Sequence, residues 1–317
     1  MSVEKKSTGE ALFLSGSAAL REKNYISARE KLLAALEQGY AKAGVYFNLA
    51  VCAEAAGELT EAGQNYGKAI DVAEGDEVPR AQMGAAEFNF RTGQVKRAAE
   101  LSQILMQNER VGYRPYHLYC AACSQLKKPA EAEEMLKEVE GRFAREPDYW
   151  KDRLKIMDLQ FHFSSALKLI EEKREIMELI PRDAMRLKVK ILVMLKDRGR
   201  AEEAIREYFE RCGTIEAGFL KMLLDTGREN YEEALGVAVS ILQAQEKNRG
   251  LMFYLALYYT VFLGCKCSDG ELDNGTREDF LKSILICEKW FTEKRLMSEE
   301  MLQSFSDAKK YLAGVAK

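Results

Sequence analysis

The sequence predicts an all-α protein built as a solenoid of antiparallel helix pairs. Small residues recur with a twelve-residue step, the step repeats about every 34 residues, and the 317-residue chain has only five prolines. Two helices of a pair approach closely only where the facing side chains are small, so a repeated small residue predicts a repeated helix pair. Because one pair cannot bury its own apolar face, the pairs are expected to stack.

The twelve-residue step organises most of the chain. It joins Gly16 to Ala28, Ala50 to Ala62, Ala86 to Ala98 and Cys120 to Ala132, and less regularly Leu154 to Ala166, Leu192 to Ala204 and Met222 to Ala234. The seven alanines lie 34, 36, 34, 34, 38 and 30 residues apart. Turn formers or helix starters lie inside most of these steps, namely Asn24-Tyr25, Gly57, Gly93, Pro129, Gly199 and Asn230. Each step therefore predicts two helices joined by a tight turn.

Two stretches carry a family resemblance. Phe13-Leu14-Ser15-Gly16 with Tyr25 to Ala28, and Tyr46 to Ala50 with Leu59 to Ala62, resemble tetratricopeptide repeats. The likeness is clear over 9–146 and degenerate over 147–245, where Lys173 and Arg211 replace a small or apolar residue late in the second helix. The resemblance implies a right-handed superhelix that spans 1–317 as a single domain and binds other proteins.

The last 70 or so residues depart from the repeat, and 246–317 is interpreted as a long-looped helix pair plus a C-terminal capping helix. A helix is expected over 249–264, a polar loop from Cys265 to Gly275, and a helix over 277–291 capped by Thr276. A final helix is expected over 298–313 because its apolar residues recur at helical spacing.

Composition excludes several function classes. Lysine and arginine number 47 against 50 acidic residues, and the net charge of −3 gives no overall attraction to nucleic acid or anionic membranes. The longest apolar run, Leu251 to Leu263, is shorter than the roughly 20 residues that span a bilayer. The seven cysteines are odd in number and lie mostly within helical patterns. They predict reduced thiols, and hence a cytoplasmic protein.

Three groups of residues could carry chemistry, and each has a simpler interpretation. His117, Cys120 and Cys123 share one face of a helix, but Cys120 occupies the small-residue position of its repeat. Cys265 and Cys267 have no partner ligands nearby in sequence, and the acidic loop from Asp269 to Asp273 fails the calcium-loop pattern. With only two histidines and no phosphate loop or nucleophile elbow, the chain is not expected to be an enzyme, and no cofactor or metal is predicted.

The concave groove implied by the resemblance is the candidate binding site. First-helix residues close to the small positions should line it, namely Phe13, Ser17, Phe47, Asn48, Val51, Met83, Glu87, Phe90, His117, Ala121, Lys151, Lys155, Val189 and Lys196, with Arg114 and Arg186 at its rims. Its first half would be apolar and its middle basic. The apolar members could equally be inter-helix core.

One known recognition mode of the resembled family is not predicted. Some of its members clamp the terminal carboxylate of chaperone tails with lysine and asparagine side chains. Asn48 matches one clamp position, and Arg80 could serve as a basic residue there. Phe13, Ser17 and Gly84 occupy other clamp positions and cannot supply its charges.

The predicted function is therefore a non-catalytic scaffold or adaptor that accepts a peptide or helix of a partner protein. An alternative is a ligand-gated regulator that senses a small signalling peptide and acts through a partner. A third is single-stranded nucleic-acid binding, which is disfavoured because Lys151, Lys155 and Lys196 have few aromatic neighbours in register. No membrane partner is expected, and the sequence leaves the oligomeric state open.

Overall fold

The computed structural model describes residues 3–268 and 271–313, which contain nineteen α-helices and no β-strand. They group into two compact units, Met1–Leu179 and Ile180–Lys317. The first unit has helices α1 (Val3–Arg21), α2 (Tyr25–Glu37), α3 (Ala43–Ala55), α4 (Leu59–Val72), α5 (Glu77–Arg91), α6 (Val95–Met106), α7 (Arg114–Gln125), α8 (Pro129–Glu138), α9 (Glu140–Phe143), α10 (Pro147–Leu159), α11 (Phe163–Glu172) and α12 (Arg174–Leu179). The second has α13 (Pro181–Met194), α14 (Arg198–Cys212), α15 (Ile215–Gly227), α16 (Tyr231–Ala244), α17 (Leu251–Cys267), α18 (Asn274–Glu293) and α19 (Glu299–Leu312).

Small residues hold the two helices of each pair together, as the sequence predicts. Ala28, Ala62 and Ala98 on the second helices are fully buried, and so are Ala50 and Ala86 on the first helices. An added Cβ at Gly16 would lie 3.0 Å from Leu32 Cγ on the partner helix. The all-helical architecture of consecutive pairs predicted from these residues is thus confirmed.

Seven of the helices that begin a pair, namely α1, α3, α5, α7, α10, α13 and α15, end in the same hydrogen-bonded turn. At Gly57 the backbone is left-handed, its N–H donates to the Glu54 carbonyl, and the next N–H donates to the Ala53 carbonyl. This pattern is a Schellman motif. It recurs after the other six of these helices at Lys23, Gly93, Lys127, Phe161, Lys196 and Glu229, and also at Gly39 after α2 and at Arg295 after α18. Only two of the seven first-helix positions, Gly57 and Gly93, are glycine, which is why the turn formers in the sequence mark the turns unevenly.

The later second helices of the first unit are interrupted. Helix α8 ends at Glu138 and is followed by the short α9, and α11 ends at Glu172 with Lys173 as its C-cap before α12 begins. The Lys173 ammonium lies 2.6 Å from Glu140 Oε1, so its charge is held at the interruption and not inside a close helix contact. The degenerate sequence at Lys173 corresponds to a real break in the helix.

The C-terminal helices differ from the sequence-based boundaries. Cys265 and Cys267 belong to α17, so the predicted loop from Cys265 starts too early. Helix α18 starts at Asn274 and is capped by Asp273, whose Oδ1 accepts from the Thr276 N–H at 3.0 Å. The predicted cap at Thr276 is therefore wrong, because a carboxylate three residues upstream satisfies that N–H. Within the described residues, no helix combines the length and the apolar character needed to cross a membrane.

Candidate partner-binding surface

The candidate surface is the first-helix face of the first unit, formed by α1, α3, α5, α7 and α10. In its α1 to α5 part, the predicted apolar residues pack into the inter-helix core and are only half-exposed. The Phe13 ring lies 5.7 Å from Tyr40 between centroids, and the Phe47 ring lies perpendicular to Tyr66 at 5.5 Å. Met83 and Phe90 pack against the cluster that contains Tyr66. These side chains offer a partner only their outer edges.

Polar side chains connect successive first helices across this face. Asn48 Nδ2 on α3 donates to Ser17 Oγ on α1 at 2.9 Å. Glu87 on α5 forms an ion pair with Arg114 on α7, whose side chain is 70% exposed. Val51 lies half-buried on α3. Because Asn48 and Glu87 already have intramolecular partners, a bound peptide would have to compete for them.

The most polar contact on this face joins α7 to α10. The Asp152 carboxylate is buried, and its Oδ2 lies 2.8 Å from His117 Nδ1 and accepts a hydrogen bond of 2.8 Å from Tyr113 Oη. His117 remains 55% exposed. The hydrogen bond to Asp152 raises the pKa of His117 above its ordinary value, against the opposing effect of partial burial. Burial raises the pKa of Tyr113, which therefore remains a donor.

Carboxylates offset the basic character that the sequence predicts for this region. Lys151 Nζ lies 3.0 Å from Asp148 Oδ1, and Arg114 is paired with Glu87. Lys155 is exposed near His117, and no carboxylate of the described residues lies within ion-pair distance of it. Glu87 and Asp148 thus pair with two of the three basic side chains of this region, and Lys155 is the third. Protonation of His117 would add a further positive charge to this part of the face.

The predicted groove residues of the second unit are not all on a helix face. Arg186 is exposed and lies 3.7 Å from Asp183 Oδ1, whereas Val189 is buried in the core. Lys196 follows the end of α13 and has a left-handed backbone with φ of 57°. Its predicted position on the first helix is wrong, because α13 ends two residues earlier in the Schellman turn.

Structural comparisons identify the fold. The C-terminal part of a tetratricopeptide repeat protein from Cytophaga hutchinsonii matches with a TM-score of 0.56 and 14% identity, over 82% of this chain and 100% of that one. A tetratricopeptide repeat protein from Parabacteroides merdae matches with a TM-score of 0.52 and 15% identity, over 79% and 99% of the two chains. The chain has the tetratricopeptide repeat fold. No family model and no curated protein matches the sequence, so at these identities the likeness concerns the fold alone.

On this tetratricopeptide repeat scaffold the two cysteines of α7 belong to the packing. Cys120 and Cys123 are buried in α7, and burial raises the pKa of both thiols. They are held as neutral thiols, which are poor metal ligands and poor nucleophiles. No three or more His, Cys, Asp or Glu side chains in the described ranges are grouped to hold a metal ion. Asp269, which belongs to the acidic loop that fails the calcium-loop pattern, lies outside the described residues.

Sequence reasoning missed Asp152 and Tyr113, although a signal for Asp152 existed. Asp152 lies two residues before the small-residue position at Leu154, and Asn48 lies two residues before Ala50. Both side chains reach back to the preceding first helix. At these two positions a polar residue thus forms a bridge between neighbouring repeats.

Proposed function

We propose that this protein is a non-catalytic adaptor that binds a peptide or helical segment of a partner protein on the first-helix face of the unit Met1–Leu179. Stacked helix pairs present extended surfaces suited to such binding. The observation that carries the proposal is the exposed cation at Lys155, which adjoins His117 and has no carboxylate within ion-pair distance among the residues that the structure describes. A partner with acidic residues would supply the missing counter-charge.

The other contacts on this face complement that charge. Phe13, Phe47 and Met83 keep part of their surface exposed, and apolar side chains of a partner would cover these edges. Apolar anchors supply most of the binding energy in peptide recognition, whereas exposed charges mainly set the association rate and the salt dependence. The proposed ligand is therefore a segment with apolar anchors followed by acidic residues.

A displayed peptide library selected against the full chain at low salt tests this proposal. Enriched peptides should combine apolar and acidic residues, and Lys155→Glu should weaken their binding about fivefold, as expected for one exposed charge contact. Lys168→Glu is the matched control, since Lys168 is an exposed lysine on the second helix α11. Equal losses in both variants would contradict the proposed surface, and salt-sensitive binding of single-stranded RNA would favour the nucleic-acid alternative.

A further inference from the structure

A cavity of about 650 Å³ lies among the three C-terminal helices. Its apolar walls are Tyr258, Val261 and Phe262 of α17, Ile284 of α18, and Ala308 and Tyr311 of α19. Cavities of roughly 300–1,000 Å³ with mostly apolar walls and a few polar groups are typical of small-molecule sites. None of the residues discussed on the first-helix face lines this cavity.

The cavity results from how α19 is seated on its neighbours. Phe305 is fully buried and packs on Tyr258 at 5.1 Å and on Phe291 at 6.2 Å between ring centroids. The residues before and after it on the adjoining face, Ser304 and Ala308, have small side chains one turn apart and line the cavity. The aromatic contact thus fixes α19 in place, while the small residues leave the space beside it open.

The two charged side chains at the cavity, Asp307 and Lys266, differ in whether a described polar or charged partner lies nearby. Asp307 Oδ1 accepts a hydrogen bond of 2.8 Å from Gln303 Nε2 and lies 3.9 Å from Lys310 Nζ on its own helix. Lys266 is exposed with its Nζ 5.9 Å from the Phe262 ring centroid, and no described carboxylate lies within 4.0 Å of it. Burial raises the pKa of the Cys265 thiol to about 11, so this wall is neutral near pH 7. Among the charged side chains that the structure describes at this cavity, Lys266 is the cation without a carboxylate within ion-pair distance.

We propose that this cavity binds an amphipathic carboxylate, with its apolar body against the aromatic walls and its carboxylate at Lys266. A free medium-chain carboxylate and the carboxyl terminus of a peptide that ends in an apolar residue share this chemistry. The site is independent of the proposed peptide-binding face, so either proposal can fail without the other.

Cys265 provides a reporter inside the cavity, and Cys267 provides its control. Cys265 lines the cavity, whereas Cys267 is exposed two residues further along α17. Alkylation of the full chain by iodoacetamide at pH 8.5, followed by peptide mass spectrometry, gives the rate at each cysteine. Dodecanoate, held below its micelle concentration, should slow alkylation of Cys265 at least tenfold and that of Cys267 less than twofold.

Three further measurements test whether the negative charge of the carboxylate is needed for binding, and whether a small molecule or a peptide supplies it. Dodecanol should protect Cys265 far less than dodecanoate does. Lys266→Gln should raise about tenfold the dodecanoate concentration that protects half of Cys265, and it should leave the corresponding dodecanol concentration unchanged. Because Lys266 is exposed, this variant should fold. A short peptide ending in leucine, compared with its carboxamide, tests the peptide source. Protection by the peptide acid alone assigns the site to a protein terminus, and protection by dodecanoate alone assigns it to a small molecule.

A substitution that fills the cavity with a large side chain completes the test. Ala308→Trp should abolish protection, whereas Leu302→Trp on the exposed side of α19 should leave it intact. Circular dichroism checks that both variants remain helical. The proposal is overturned if neither carboxylate protects Cys265, if dodecanol protects as well as dodecanoate, or if Lys266→Gln affects the two equally.

Discussion

The contact between α3 and α5 depends on the absence of a side chain at Gly84. A Cβ added there would lie 2.9 Å from Phe47 Cζ and 3.2 Å from Tyr66 Cε1, and it would overlap Phe47 Cε2. Gly84→Ala should therefore force the Phe47 ring or the backbone of α5 to move. Such overpacking typically costs about 1–3 kcal/mol.

The same substitution also gains helix propensity, which must be separated from the clash. Replacing glycine by alanine in a helix interior gains roughly 1 kcal/mol. Gly67 lies inside α4 with nothing within 4 Å of an added Cβ, so Gly67→Ala should raise stability by about that amount. The difference between the two variants then isolates the clash, and we expect it to be about 1–3 kcal/mol.

Urea unfolding followed by circular dichroism measures both variants against the wild type. Adding Phe47→Leu to Gly84→Ala should recover part of the loss, because a smaller side chain vacates the overlap. If Gly84→Ala stabilised the chain as much as Gly67→Ala does, α3 and α5 would not approach as described. The reasoning from small residues to close helix packing would then be wrong at this position.

Stability should depend on pH through His117, whose hydrogen-bonded carboxylate partner raises its pKa in the folded state. That stabilisation is complete below the unfolded pKa of about 6.5 and is lost as pH rises through the raised folded pKa. In urea unfolding, the free energy of unfolding of the wild type should therefore exceed that of His117→Gln by more at pH 5.5 than at pH 9. Lys127→Gly relieves a left-handed backbone and should raise the free energy of unfolding by up to about 1 kcal/mol, whereas Ala121→Gly within α7 should lower it by a similar amount. Ala62 is fully buried, so Ala62→Leu should lower the melting temperature by several degrees, while Gln64→Leu on the exposed side of α4 should change it little. A chelator should leave the helical circular dichroism of the purified chain unchanged, and loss of signal with release of one equivalent of zinc would contradict the interpretation of the cysteines as packing residues.

The repeat period and the pairing of helices could be predicted because they depend on local side-chain size. Ala28, Ala62 and Ala98 follow a spacing that only stacked pairs explain, and all three are fully buried. The prolines at Pro129 and Pro147 begin helices as expected, since the first turn does not need their missing N–H.

The candidate surface was predictable only in part, because its contacts join residues distant in sequence. His117 could be placed on a first helix, but its partner Asp152 lies 35 residues further along the chain. Counting Lys151 and Lys155 suggested a basic region; Asp148 pairs with Lys151 on the same helix, and only the fold showed that the neighbouring Arg114 pairs with Glu87, 27 residues earlier. Electrostatics depends on distance in space, which a list of charged residues does not contain.

By itself the sequence determined an all-helical array of stacked pairs, since the size and spacing of its small residues allow close packing in only one register. The tertiary structure decided where each first helix ends. Lys196 and Phe161 adopt left-handed backbones without being glycine, because the turn must form wherever the second helix packs back. It also decided that the Phe13 and Phe47 rings are partly core, and that Ser304 and Ala308 border a cavity. Such outcomes depend on which neighbours fill the surrounding space, and only the assembled chain supplies those neighbours.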